Sequence, residues 1–328
     1  MRVISIKQFG GPEQLTLTEV PLPTPGVREL LIRVQAAGLN RADLVQREGH
    51  YPPPAGASPL PGMEVSGEVV GLGSSMEETR WRVGDRVCAL LTGGGYSEYV
   101  TASEECCLPV PENVAIEDAA ALPEAVFTVW ANLFRFPVSV RAGETLLIQG
   151  GASGIGSTAL QLAKAKGIRA AATAGSATKC SRCIEFGAEF AVDYHADWAS
   201  ALREWAPAGF NAILDIIGGR YFAEHLSLLA PRGRLTNIAF TQGSQVSLDL
   251  RLLMVKRLVV TGSTLRSRPV AEKGELRNEI EREVWPLLLT GQLRPIIEAR
   301  FPLEQASDAH RLMESGTHVG KILLSVSP

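Results

Sequence analysis

The sequence predicts an α/β protein in which a compact β-rich domain precedes a doubly wound parallel sheet. Three observations carry this. Short β-rich runs punctuated by Gly and Pro fill the chain as far as Pro123. From Leu146 to Thr261 short apolar runs alternate with helical patterns. Beyond residue 265 that alternation stops, and one last apolar run, Gly320–Leu324, closes the pattern.

In the first region Pro21, Pro23, Pro25 and Gly26 end a short strand pair. Leu30–Ala37 reads as a strand, and so do Val65–Val70 and Val87–Leu91 between glycines. Tyr51-Pro52-Pro53-Pro54-Ala55-Gly56 lacks the N–H groups a helix or central strand needs, and is a loop. In the second region strands are expected at Leu146–Ile148, Ala170–Ala174, Phe190–Val192, Ala212–Ile217, Leu235–Ala239 and Leu258–Thr261. Helices are expected at Gly154–Lys166, from the cap Ser176 to Phe186 before Gly187, and at Tyr221–Leu229. Strands and helices in this rhythm make right-handed βαβ units and a sheet covered on both faces. Glu275–Leu289 reads as one amphipathic helix with Ile280, Val284, Leu287 and Leu288 on its apolar side. The domains are therefore expected at 1–123, joined by a return of 266–328, and at 124–265.

With 328 residues, 45% of them apolar and 20% charged, the chain is of ordinary globular composition. Thirty-two basic and thirty-five acidic side chains give a formal charge of −3, so nothing calls for nucleic acid or an anionic membrane. No apolar stretch reaches the roughly 18 residues of a membrane span. The start of the chain has no signal-peptide core, and the five cysteines are sparse and odd in number. Both point to reduced thiols and a cytoplasmic protein.

The strongest chemical signal is Leu146-Leu147-Ile148-Gln149-Gly150-Gly151-Ala152-Ser153-Gly154-Ile155-Gly156, a strand, a glycine turn and a helix start. A tight turn without Cβ atoms lets a pyrophosphate approach the backbone, and the helix N-terminus meets it with N–H groups. Gly151, Gly154 and Gly156 occupy the three fingerprint places, and Ser153 replaces the usual second glycine. An NAD site has an acidic residue about 20 residues on, holding the ribose 2′-hydroxyl. No Asp or Glu occurs from Ile168 to Lys179; Gly175, Ser176 and Lys179 stand there instead. Small groups, a hydroxyl and a cation suit a 2′-phosphate, so the cofactor predicted is NADPH.

Several stretches together resemble the zinc-independent quinone oxidoreductases, the zeta-crystallin-like group of the medium-chain dehydrogenase/reductases. They are Gly38-Leu39-Asn40-Arg41-Ala42-Asp43, Gly49-His50-Tyr51-Pro52, Pro61-Gly62-Met63-Glu64-Val65-Ser66-Gly67, Gly84-Asp85-Arg86-Val87, Ala121-Leu122-Pro123, the glycine turn, Val192-Asp193-Tyr194 and Gly320-Lys321-Ile322. The resemblance implies a GroES-like substrate domain, a Rossmann domain, an active cleft between them and a homodimer or tetramer. It places Asn40, Tyr51 and Thr128 at the substrate as catalytic candidates, Asn40 and Thr128 beside the nicotinamide as well. It implies that Gly150, Gly151, Ser153, Gly154, Ile155 and Gly156 border the pyrophosphate. It adds Tyr194 to Gly175, Ser176 and Lys179 around the 2′-phosphate, and Ala239, Phe240 and Lys321 to the cofactor set. Asn40 stands where the zinc branch has a catalytic cysteine, and Met63 where it has a histidine.

No metal is expected. Cys180-Ser181-Arg182-Cys183 lies inside a predicted helix, Cys106-Cys107 is a vicinal pair whose partners the sequence does not indicate, and His50, His195, His225, His310 and His318 show no ligand spacing. His50 is a weaker candidate on the Tyr51 loop. Arg41, Asp43 and Glu64 read as internal hydrogen-bonding groups. Tyr51 reads as an aromatic wall for a flat acceptor, or as a proton donor. Without a Lewis acid the acceptor must already be electron-poor, which favours NADPH-dependent quinone reduction. An NADPH-dependent enone or enoyl-thioester reductase is the alternative; a non-enzymatic RNA-binding or structural relative lacks the basic patch it needs.

Overall fold

The computed structural model describes residues 1–326. The chain forms two compact units, Met1–Phe127 with the chain from Arg266 onward, and Thr128–Leu265.

The first unit opens with β1 (Arg2–Ile6) antiparallel to β2 (Leu15–Glu19). Then come β3 (Glu29–Gly38), the short helix α1 (Arg41–Arg47), β4 (Glu64–Leu72), β5 (Arg86–Leu90), β6 (Tyr99–Ser103) and β7 (Cys107–Pro109). Asn40 precedes α1, and the Asp43 carboxylate in the first turn accepts the Asn40 N–H, satisfying a donor at the helix start. Helix α2 (Pro123–Val129) begins with proline at a position where no N–H is needed.

The second unit carries β8 (Thr145–Ile148), α3 (Gly154–Ala165), β9 (Arg169–Ala174), α4 (Ala177–Phe186), β10 (Phe190–Asp193), α5 (Trp198–Trp205), β11 (Phe210–Asp215), α6 (Phe222–Leu228), β12 (Leu229–Asn237), α7 (Leu250–Lys256) and β13 (Val259–Gly262). The strands are all parallel in the order β10-β9-β8-β11-β12-β13. This is the doubly wound dinucleotide-binding order, in which the chain reverses direction between β8 and β11 and opens a crevice at their carboxyl ends. Strand β12 ends at Asn237, so Ala239 and Phe240 belong to the loop after it, with Phe240 exposed.

The chain then re-enters the first unit as α8 (Val270–Glu283), α9 (Trp285–Leu289), β14 (Ile297–Pro302), α10 (Ala306–Ser315) and β15 (Lys321–Ser325). The single helix expected over Glu275–Leu289 is two. Pro286 cannot donate to the preceding turn, so α8 stops and a new helix starts with proline in its first turn. Ile280, Val284 and Leu288 are nevertheless all buried. Strand β15 lies antiparallel to β3, with Leu324 opposite Ala37, in the sheet order β14-β15-β3-β4-β5-β7, and β6 pairs with β3 off that path. The core beneath it gathers Leu30, Ile32, Val34, Val65, Val87, Ile322 and Leu324. Each such side chain contributes roughly 2 kcal/mol of burial.

Candidate active site

The glycine turn follows β8 directly. Gly150 takes φ +69°, a left-handed conformation that costs a glycine nothing. A Cβ on Gly151 would lie 2.6 Å from Ala172 Cβ, and one on Gly156 would lie 2.4 Å from Gly150 O. The turn is thus closed to any side chain at both places. Ser153 is the cap of α3, its hydroxyl accepting the Gly156 N–H at 3.0 Å. The amides of Gly154 and Ile155, in the first turn of α3, find no acceptor among the described residues. Two open N–H groups on the positive end of a helix form a cradle for an anion.

At the carboxyl end of β9, Ser176 caps α4 by accepting the Lys179 N–H at 3.2 Å. A Cβ on Gly175 would lie 2.4 Å from the Tyr194 hydroxyl oxygen. Glycine here lets the phenol of Tyr194 lie against the backbone, so Gly175, Ser176, Lys179 and Tyr194 gather at one strand end without a carboxylate among them. In the same unit Thr128 is buried, and its carbonyl accepts from Asn132 Nδ2 at 2.9 Å.

In the first unit Asn40, Glu64 and Lys321 meet. Lys321 Nζ donates to Glu64 Oε1 at 2.5 Å, to Asn40 Oδ1 at 2.7 Å and to Leu39 O at 2.9 Å. Asn40 Nδ2 donates to the same Glu64 oxygen at 2.9 Å, and the Glu124 N–H donates to Glu64 Oε2 at 2.8 Å. Every donor of the ammonium is therefore occupied, and so are both oxygens of Glu64. Burial, and then the charge of Glu64, push the Glu124 carboxyl up to about 7.

Asn40 is steadied from behind. Asp43 Oδ2 accepts the Asn40 N–H at 2.8 Å and the Tyr96 hydroxyl at 3.2 Å, while Oδ1 accepts the Gly62 N–H at 3.0 Å. Burial pushes Asp43 up to about 6 against these bonds. Tyr96 also touches His310 Nε2 at 3.2 Å, and burial drives His310 down to about 3. Tyr51 is half-buried on its proline loop, with the Arg266 guanidinium 5.3 Å from its ring centre. Burial, then Glu124, raise the phenol's pKa, which makes it a weaker acid and suits a wall. His50 beside it is exposed.

Sequence reasoning did not single out Glu124, Tyr96 or the joining of Glu64 to Lys321. Their partners lie far off in the chain, and no local pattern connects them. Cys88, Cys106, Cys107 and Cys183 are buried free thiols, and Cys180 is half-buried.

Residues 26–112 match the family model described as alcohol dehydrogenase GroES-like domain, and residues 186–324 match zinc-binding dehydrogenase. A quinone oxidoreductase of Pseudomonas aeruginosa is 34% identical, covering 98% of this chain and 98% of that one. The chain belongs to the quinone oxidoreductase group of the medium-chain dehydrogenase/reductase family. Among solved structures, the Escherichia coli quinone oxidoreductase complexed with NADPH superposes with a TM-score of 0.87 at 27% identity, covering 99% of this chain and all (100%) of that one. The CurK enoyl reductase gives 0.85 at 25% identity, covering 99% of each.

The zinc in that family model's description finds no matching donors here. Asn40 presents an amide, Met63 is a buried thioether, and Glu64 is committed to Lys321. Among the described residues no group of three or more His, Cys, Asp or Glu side chains converges. A nicotinamide dinucleotide fits better: the glycine turn and the open amides of α3 suit its pyrophosphate, and Ser176 and Lys179 bring a hydroxyl and a cation to the end of β9.

Proposed function

We propose that this family member is a zinc-independent NADPH:quinone reductase. The chain uses NADPH, the cofactor held by its Escherichia coli relative. The observation that carries the zinc-independent reading is the commitment of Glu64 to Lys321 and Asn40. It takes both oxygens of Glu64 and leaves the first unit with the Tyr51 ring for an acceptor instead of metal ligands.

When bound, the cofactor supplies a hydride. Gly154 and Ile155 hold its pyrophosphate with their N–H groups, and Gly175, Ser176, Lys179 and Tyr194 take the 2′-phosphate. Gly150, Gly151, Gly156 and Ser153 shape the turn, and Ala239 and Phe240 border the cofactor on the loop after β12. Asn40 and Thr128 position the nicotinamide and the acceptor. Lys321 acts by fixing the Asn40 amide, and Tyr51 stacks against the acceptor ring. A quinone needs little more, because the charge it gains spreads onto a carbonyl oxygen.

The likeness to an enoyl reductase supports a second reading, reduction of an enone or enoyl thioester. Steady-state rates with NADPH and NADH across small quinones, enones and a 2-enoyl thioester separate the two. Fast turnover of quinones and none of the thioester supports quinone reduction, and the reverse overturns it.

We also propose a homodimer. Edge strand β13 leaves Val259 and Val260 open, and exposed Met254 and Val255 lie on α7 just before it. An apolar edge of this kind is a template for a second copy. No helix is long and apolar enough to cross a membrane among the described residues. The unpaired thiols fit the reducing cytoplasm.

A further inference from the structure

Four buried polar side chains run in a line beneath the cofactor loops of the second unit. Gly150 N donates to Thr173 Oγ1 at 3.3 Å, and the Thr173 hydroxyl donates to Gln149 Oε1. Gln149 Nε2 lies 2.5 Å from His225 Nε2, and His225 Nδ1 lies 3.1 Å from Asp215 Oδ2. Gln149, Thr173, Asp215 and His225 are each at most 1% exposed.

Donor and acceptor counting gives this line one direction. The Gly150 N–H points at the threonine oxygen, so the threonine O–H points onward to the glutamine oxygen. The glutamine nitrogen then faces His225, and an amide nitrogen only donates. His225 Nε2 must therefore carry a lone pair and Nδ1 the proton, which it gives to Asp215. Turning the Gln149 amide over would leave the Thr173 O–H without an acceptor and force His225 to carry two protons.

The far end of the line fixes two more loops. Asp215 Oδ1 accepts the N–H groups of Ile217 at 2.7 Å and Gly218 at 3.0 Å, and Oδ2 also accepts from Asn237 Nδ2 at 2.8 Å. With His225 that makes four donors, which satisfies a buried carboxylate. The loop after β12 is stitched to the loop after β11, Gln242 N donating to Ile217 O at 2.9 Å. The line thus joins the carboxyl ends of β8, β9, β11 and β12, where an open α/β sheet receives its ligand.

We propose that His225 and Gln149 are positioning residues of the NADPH site, holding the glycine turn and the loops after β11 and β12 in one register for the pyrophosphate and nicotinamide half of the cofactor. This rests on the reading of the chain as an NADPH enzyme. The 2′-phosphate cluster at Gly175, Ser176, Lys179 and Tyr194 shares none of these hydrogen bonds, which makes the two halves separable.

The full chain is titrated with NADPH and, separately, with adenosine 2′-monophosphate, for wild type, His225→Gln, His225→Leu and Thr173→Val. Thr173→Val keeps the shape and cuts the line at its other end. The expected result is a loss of tenfold or more in NADPH affinity for each variant that cuts the line, with adenosine 2′-monophosphate held within twofold. Equal losses for both ligands mark a merely destabilised domain and overturn the proposal, as does no loss for either. Wild-type protein that binds neither ligand overturns the cofactor reading itself. Nitrogen-15 NMR of the wild type supplies a readout independent of folding in the variants: a neutral His225 protonated at Nδ1 is expected, and an Nε2–H tautomer or an imidazolium overturns the assignment.

Discussion

Lys321 Nζ lies 2.5 Å from Glu64 Oε1 although 257 residues separate them in the chain. The pair ties β15 to the start of β4, and the same lysine fixes the Asn40 amide. A buried ion pair costs most when one partner is removed, because the other charge stays behind unpaired.

Lys321→Met is expected to cost about 3–5 kcal/mol of stability in urea unfolding. Glu64→Gln in the same chain returns a good part of it, since the orphaned charge is gone. A double variant whose losses simply add would show that the two groups do not interact.

Stability is expected to fall as pH rises from about 4 to 7. Burial raises Asp43 to about 6 and Glu124 to about 7 in the folded chain. Between the usual carboxylate range and those values the folded state holds more protons than the unfolded one, so alkali favours unfolding. The stabilisation is full below the unfolded pKa values and gone above the folded ones. Glu124→Gln should flatten this slope between pH 5 and 7 in thermal melts, and an unchanged slope would assign it elsewhere.

Lys179→Ala should weaken NADPH by about tenfold or more and leave NADH nearly untouched, because a charge-assisted bond is worth roughly 1.5–3 kcal/mol. Paired fluorescence titrations check this. Equal losses would remove Lys179 from the 2′-phosphate.

Gly156→Ala places a methyl group 2.4 Å from Gly150 O and 2.6 Å from Gly151 Cα. The backbone atoms have nowhere to go, so the turn must open. Loss of NADPH binding with a cooperative melt retained is the expected outcome, measured by titration and calorimetry.

Val260→Lys puts a charge on the open edge of β13. Analytical ultracentrifugation should find monomers where the parent chain sediments as a dimer. A parent that is itself monomeric would end the dimer proposal.

The legible parts of the sequence were those encoded locally. The glycine turn was readable because its strand, turn and helix are contiguous. The helix cap at Ser176 and the missing acid after β9 were readable for the same reason. The helix over Glu275–Leu289 was misjudged because its apolar stripe continues across Pro286, and periodicity registers buried faces but not a missing N–H. Glu124, Tyr96 and His310 gave no signal, since each acquires its neighbours only when distant segments meet.

Local hydrogen-bonding chemistry and hydrophobic period thus set the class of fold, the alternation of strands and helices and the glycine turn after β8. Folding alone decided which charge Glu64 faces, which tautomer His225 holds and how Asn40 is aimed. Those properties depend on distances of a few ångströms between residues from 10 to 281 positions apart, and burial then multiplies the strength of each contact.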